Sequence, residues 1–311
     1  MSNLQIQANR LDRGFIKYQT EFEKKAIEVL RSGHYVLGKE VHTFEQEFAA
    51  FVGAKFCVGV GSGLDALCLA IRALGIKQGD EVIVQANTYI ASVMGITING
   101  AIPVFVEPDE SYQIDADKIE EKITFKTKAI MVVHLYGQVA QMNQILRLCK
   151  KYNLKLIEDC AQSHGALFGK KMTGSFGNVG CFSFYPTKNM GGFGEGGAVV
   201  TDDEDISEML RILRNYGSEK RYHNKVIGTN SRLDELQAGL LRVRLQHMEE
   251  ITQEKIALAN TYTNKIKNPK IILPKERLKT RSVWHQYVLR VEMRDDFQEY
   301  LKNNKVETIV H

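Results

Sequence analysis

From about residue 55 onward, short β-rich runs alternate with helical stretches, and this alternation limits the fold more than any other feature of the chain. The run 55–59 leads to a predicted helix over 65–74 that stops at Gly75. The run 81–84 is followed by a helix over 91–97 and then by a strand over 102–106. The run 129–133 precedes a helix over 143–152, and the apolar run 154–157 follows it. Alternating two-residue and 3.6-residue apolar periods predict an α/β protein with a mostly parallel central sheet and helices on both faces. Such sheets carry their functional groups in loops at the carboxyl ends of the strands. The residues that follow each run are therefore the ones to inspect.

Beyond the run 197–201 the pattern turns helical. Ser231-Arg-Leu-Asp234 has the form of a capping box, and it predicts a long helical stretch reaching about Ile266. A smaller α/β unit begins within that stretch, with a strand over 283–291, a helix near 296–303 and a strand over 306–310. We therefore expect a large domain over residues 1–245 and a small C-terminal domain over 246–311. Its last strand runs to His311 with no helix to cover it, so the small domain is expected to be incomplete.

Several function classes fall away early. The net charge of +4 over 311 residues is small, and Lys126, Lys128, Lys150, Lys151, Lys170 and Lys171 lie among acidic residues, so no nucleic-acid partner is expected. Residues 1–13 hold no apolar stretch of signal-peptide type. No later run approaches the ~20 apolar residues that span a bilayer. The expected setting is the cytoplasm, with no membrane partner. Cys57, Cys68, Cys149, Cys160 and Cys181 are dispersed without a CxxC or Cys/His pattern, which predicts reduced, mostly buried thiols and no metal site. Gly59-Val-Gly-Ser-Gly63 lacks a third glycine at Leu64. Gly192-Phe-Gly-Glu-Gly-Gly197 fits GxGxxG but opens a strand and not a helix, so a nicotinamide cofactor is not expected.

Three strand ends together supply what one phosphorylated aromatic cofactor needs. Gly61-Ser-Gly63-Leu64-Asp65 is a glycine-rich turn that opens a helix, where backbone N–H groups and the helix dipole can hold a phosphate. On its own this turn is a weak signal, since glycine-rich strand-to-helix turns are common and more often plain structure. Glu158 and Asp159 end an apolar run, and a buried carboxylate there calls for a cation such as a protonated pyridine nitrogen. The alternative is a pair of exposed loop acids. Lys188 lies between the aromatic-rich run 180–185 and a glycine-rich loop, in chain that should be buried. Desolvation lowers an amine's pKa and makes it a nucleophile near neutral pH.

The motifs 62–67 (Ser-Gly-Leu-Asp-Ala-Leu), 87–89 (Asn-Thr-Tyr), 158–162 (Glu-Asp-Cys-Ala-Gln), 183–189 (Ser-Phe-Tyr-Pro-Thr-Lys-Asn) and 230–238 (Asn-Ser-Arg-Leu-Asp-Glu-Leu-Gln-Ala) stand in one order. In that order the chain, from about Gly33 to its end, resembles the DegT-type nucleotide-sugar aminotransferases, pyridoxal-phosphate enzymes of fold type I. The resemblance implies that Lys188 holds pyridoxal 5′-phosphate covalently and that Asp159 pairs with the pyridine nitrogen. It implies that Gln162 binds the phenolic oxygen and that Tyr89 stacks on the ring. It gives the phosphate to the backbone at Gly63 and Leu64 and to the Ser183 hydroxyl, with Asn230 reaching the phosphate of the neighbouring subunit of a homodimer. The family commonly has alanine where Cys160 stands.

The resemblance further implies transamination of a nucleotide-linked keto sugar with L-glutamate as donor. The stretch 230–237 looks most like enzymes that aminate C3 of dTDP-linked 3-keto-6-deoxyhexoses. C4 aminotransferases and enzymes of UDP-linked 3-keto acetamido sugars stay open as alternatives, with a non-catalytic nucleotide-sugar-binding regulator as a remote one. Dehydratases related to the family carry histidine where this chain has Lys188. Tyr35 and Tyr185 are candidates for the sugar pocket and could equally be packing aromatics.

Overall fold

The computed structural model describes residues 6–220 and 222–311. Ten helices run through the described residues in the order α1 (Leu11–Lys17), α2 (Gln19–Ser32), α3 (Lys39–Val52), α4 (Gly63–Ala73), α5 (Ile90–Thr97), α6 (Met142–Tyr152), α7 (Glu204–Leu213), α8 (Glu235–Gln246), α9 (Met248–Lys265) and α10 (Arg294–Asn303). The strands in chain order are β1 (Phe56–Val60), β2 (Glu81–Gln85), β3 (Ile102–Val106), β4 (Thr127–Val133) and β5 (Lys155–Asp159). After them come β6 (Leu167–Phe168), β7 (Lys171–Met172), β8 (Val179–Ser183), β9 (Gly197–Thr201), β10 (Ser218–Lys220), β11 (His223–Asn224) and β12 (Thr280–Arg281).

Seven strands form the central sheet in the order β1-β9-β8-β5-β4-β2-β3. The pairs β2–β3, β2–β4, β4–β5 and β5–β8 are parallel, while β9 runs antiparallel to both β1 and β8. All the other strands thus point the same way, as the alternation predicts. The carboxyl ends of β1, β8 and β5 come out along one edge, and β9 begins at that edge.

Side chains alternate across this sheet, as strand geometry requires. Val58, Val60, Ile157, Val179 and Cys181 pack with α4 and α7 on one face. Cys57, Phe182, Ala198 and Val200 pack with α3 and α8 on the other, where Phe44 and Phe48 each meet Phe184 edge to face. Leu156, Ile130 and Val132 meet α6 on that same second face. No helix among the described residues is long and apolar enough to cross a membrane.

Four sequence expectations give way. Ser231 does not cap a helix, because its hydroxyl is engaged by the Gly61 N–H at 3.0 Å and donates to Asp65 at 2.8 Å; α8 begins only at Glu235, after Asp234. The stretch to Ile266 is two helices, since His247 leaves helical geometry at φ −104°, ψ 5°. The expected strand 283–291 does not form either. Trp284 adopts a left-handed backbone at φ 46°, which breaks an extended run, and only Arg290 bridges to a neighbour, Ile272. The expected strand 306–310 reduces to one bridge between Val306 and Ile6. Both runs have the apolar pattern but lack a continuous neighbouring strand among the described residues.

Candidate active site

Which of two adjacent acids serves the site follows from strand periodicity. Glu158 shares the parity of Leu156 and turns to the α6 face, whereas Asp159 shares that of Ile157 and turns to the α4 face. Both are buried, not loop acids in solvent. Glu158 is fully committed: it accepts the N–H groups of Phe176 (2.7 Å), Gly174 and Gly177 (both 2.8 Å), and faces His134 Nε2 at 3.0 Å. The Ala140 N–H points at His134 Nδ1, which puts the imidazole proton on Nε2. Cys160 lies close to this pair, but a metal ion there would have to displace donors that Glu158 already holds. Asp159 accepts one bond on each oxygen, from Ser92 Oγ (2.7 Å) and from the Ala161 N–H (3.1 Å). Its remaining lone pairs are open to a cation.

The phosphate-type turn sits beside β8. Ser62 is the N-cap of α4: its side chain accepts the Asp65 N–H and its carbonyl the Ala66 N–H. The N–H groups of Gly63 and Leu64 find no acceptor among the described residues, as expected for the first helical turn. A Cβ on Gly63 would stand 2.5 Å from Ser183 Cβ and 2.9 Å from Ser183 Oγ, so the bare glycine lets the helix start touch the Ser183 hydroxyl. Asp159 pairs across the ladder with Cys181, two residues before Ser183. That offset puts Ser183 roughly 8 Å from Asp159, one strand across and two residues along.

Lys188 is held in a closed loop. Its N–H donates to the Tyr185 carbonyl at 2.9 Å and the Gly192 N–H to the Phe184 carbonyl at 2.7 Å, while Gly191 leaves no room for a Cβ, which would lie 2.1 Å from the Pro186 oxygen. Asn189 pins the loop from behind, donating to the Val283 carbonyl (2.8 Å) and facing His285 Nδ1 (3.1 Å). Burial pulls the Lys188 amine below the usual lysine value, and the nearby Asp159 carboxylate partly offsets that fall. A half-buried amine of lowered pKa, an open buried carboxylate and unclaimed N–H groups beside a hydroxyl form a donor set that suits a phosphorylated, cationic aromatic aldehyde such as pyridoxal 5′-phosphate.

The other expected residues divide. The Gln162 side-chain oxygen accepts the Tyr136 N–H at 2.7 Å, leaving its NH₂ end as the free donor. Tyr89 is the N-cap of α5 and stands 67% exposed at the end of the Thr88-Ser92-Asp159 chain. Tyr35 and Tyr185 are exposed, so neither packs into the core; the Tyr35 hydroxyl donates to the Leu30 carbonyl. Asn230 is exposed and bridges to Asn215. Sequence reasoning did not select Ser92 or His164. The latter is fully buried against Phe182 and Phe184, with neither ring nitrogen bonded, and desolvation together with the Lys188 charge holds its pKa down at about 3.

Comparison with known proteins agrees with this geometry. A transaminase of dTDP-3-amino-3,6-dideoxy-α-D-galactopyranose from Aneurinibacillus thermoaerophilus is 53% identical over 297 residues, covering 95% of this chain and 82% of that protein. The crystal structure of Streptomyces venezuelae DesV matches with a TM-score of 0.97 at 43% identity, over 99% of this chain and 84% of that one. Bacillus subtilis NtdA with bound cofactor PMP matches with a TM-score of 0.90 at 29% identity, over 99% of this chain and 74% of its own. Residues 17–311 match the model of the DegT/DnrJ/EryC1/StrS aminotransferase family, and the chain belongs to that family.

Proposed function

We propose that this protein moves an amino group from L-glutamate onto a nucleotide-linked keto sugar, a dTDP-3-keto-6-deoxyhexose, with pyridoxal 5′-phosphate as cofactor. The observation that carries the substrate class is the 53% identity to a transaminase named for a dTDP-3-amino-3,6-dideoxyhexose. In this reading Lys188 binds the cofactor covalently, and Asp159 faces its ring nitrogen. The Gln162 amide donates to the phenolic oxygen and Tyr89 covers the ring. Gly63, Leu64 and Ser183 hold the phosphate, together with Asn230 of the partner subunit in a homodimer. Tyr35 and Tyr185 flank the sugar.

When bound, the cofactor supplies an electron sink for the bond broken at the amine-bearing carbon. The chain's own part is positional and protonic. The Asp159 carboxylate, fixed by Ser92 and Ala161, would favour the protonated form of the cofactor's ring nitrogen. Lys188, once displaced by the donor amine, is an amine of lowered pKa that would take the proton from the donor's amine-bearing carbon and deliver it to the cofactor's former aldehyde carbon, and would carry it the opposite way for the keto sugar. Unpaired thiols support a cytoplasmic enzyme, and the helix break at His247 supports a division into domains near residues 245 and 246.

The experiment is a pair of half-reactions. The purified protein should show visible absorbance from covalently held cofactor, and L-glutamate should bleach it. A band unchanged in Lys188→Ala would refute the lysine assignment. The glutamate-treated protein is then given a panel of 3-keto and 4-keto dTDP- and UDP-sugars, with product masses as readout. Absence of any amino sugar would sink the functional reading, and turnover confined to 4-keto substrates would move the amination to C4.

A further inference from the structure

A cavity of about 370 Å³ opens between the 109–112 loop, Gln138 and Gln141, the segment 272–277 and Arg290, and no residue of the Lys188 loop lines it. Its charged lining is partly spoken for: Arg277 pairs with Asp109 and with Ser111 Oγ, and Glu276 accepts the Ser282 N–H. Arg290 and Lys275 have no carboxylate partner within ion-pair distance among the described residues, while of the lining acids Asp109 is paired with Arg277 and Glu110 and Glu276 are exposed. Arg290 is held in place by its backbone pairing with Ile272 and lies 5.8 Å from the Tyr112 ring centre.

The second observation is Gln138. It is 4% exposed, yet its amide oxygen is buried without a partner and its NH₂ group donates to nothing among the described residues. Buried polar groups are almost always satisfied, so an idle amide in a cavity wall calls for a ligand. Gln141 adds a second amide with no bond of its own. Each amide offers donors and an acceptor, as a sugar hydroxyl requires, and two unpaired cations suit a phosphate.

We propose that this cavity is a second ligand site, distinct from the Lys188 site, built for a phosphorylated sugar: phosphate on Arg290 and Lys275, hydroxyls on Gln138 and Gln141. The site is close to the cofactor machinery. Tyr112 in its wall meets Tyr136 edge to face at 5.3 Å, and the Tyr136 N–H holds the Gln162 side chain.

The test is calorimetric titration of the cofactor-loaded protein with α-D-glucose 1-phosphate, the phosphate cradle at Gly63 being filled. One molecule should bind per chain. Gln138→Leu and Arg290→Gln should each weaken binding about tenfold, the worth of one charge-assisted or buried hydrogen bond. Lys275→Glu, on an exposed side chain that leaves folding alone, should weaken it as well. The proposal is overturned if nothing saturable binds, if all three variants bind like the parent, or if binding disappears once cofactor is loaded. Inorganic phosphate binding as tightly as the sugar phosphate would overturn the sugar assignment.

Discussion

Ser92 Oγ donates to Asp159 Oδ2 at 2.7 Å, and because a hydroxyl has one proton, the Thr88 hydroxyl 2.7 Å away must be the donor to Ser92. A short relay therefore ties the loop that carries Tyr89 to the carboxylate at the end of β5. Ser92→Ala removes the only side-chain donor that Asp159 has among the described residues. The expected cost is about 1.5–3 kcal/mol for a buried bond to a charged group. Urea unfolding of the cofactor-free protein measures it. A loss near zero would mean that water replaces the hydroxyl and that the relay does not hold the carboxylate.

Gly63→Ala tests whether the helix start and Ser183 form one phosphate cradle. The new methyl group would meet Ser183 Cβ at 2.5 Å, so α4 or β8 must shift. Cofactor retention should fall by about one to two orders of magnitude, the loss of one or two hydrogen bonds to a charged group. Leu64→Ala is the control, since only its backbone N–H is invoked, and it should leave cofactor affinity within about twofold. Equal losses in both variants, read by cofactor titration, would point to helix damage and not to the cradle.

His164 makes acid stability a readout of the site. Its folded-state pKa of about 3 lies below the ordinary 6.5, so below pH 6.5 the unfolded chain takes up a proton that the folded chain refuses. Stability from this residue is thus present above pH 6.5 and lost as pH falls toward 3, by about 1.4 kcal/mol per pH unit. His285, whose pKa is also lowered by burial, acts in the same direction. In His164→Leu the stability of the cofactor-free protein should fall less steeply between pH 6 and pH 4, by about that slope. Parallel curves for variant and parent would show that His164 is not kept neutral.

Tertiary partners decide where the sequence misleads. Strand ends were legible because period-two burial is local: Ile157 buried on the α4 face fixes where Asp159 points. The glycines at 63 and 191–192 were legible as loops, and the contacts that require them come from Ser183, Pro186 and Gln237. Ser92 was not legible, since its partner lies 67 residues away and a serine in a helix carries no local mark of its acceptor. The capping box at Ser231 failed for the same reason, its hydroxyl being claimed by Gly61 and Asp65 of a distant turn. The run 283–291 has the right alternation, but Trp284 in the left-handed region and the lack of a continuous paired strand among the described residues override it.

The assignment of Asn230 to the neighbouring subunit's phosphate can be tested by complementation. Asn230 is exposed on its own chain and, among the described residues, is anchored only by its bridge to Asn215. Asn230→Asp would set a carboxylate against the partner's phosphate and should strip cofactor from a homodimer, while Lys188→Ala homodimers lack the amine. In a mixed dimer, the subunit with intact Lys188 receives an intact Asn230 from its partner, and one of the two sites is complete. Random reassembly of equal amounts should therefore restore about a quarter of the parental half-reaction amplitude, half the dimers being mixed with one working site each. No recovery on mixing, or a fully active Asn230→Asp homodimer, would remove Asn230 from the shared site.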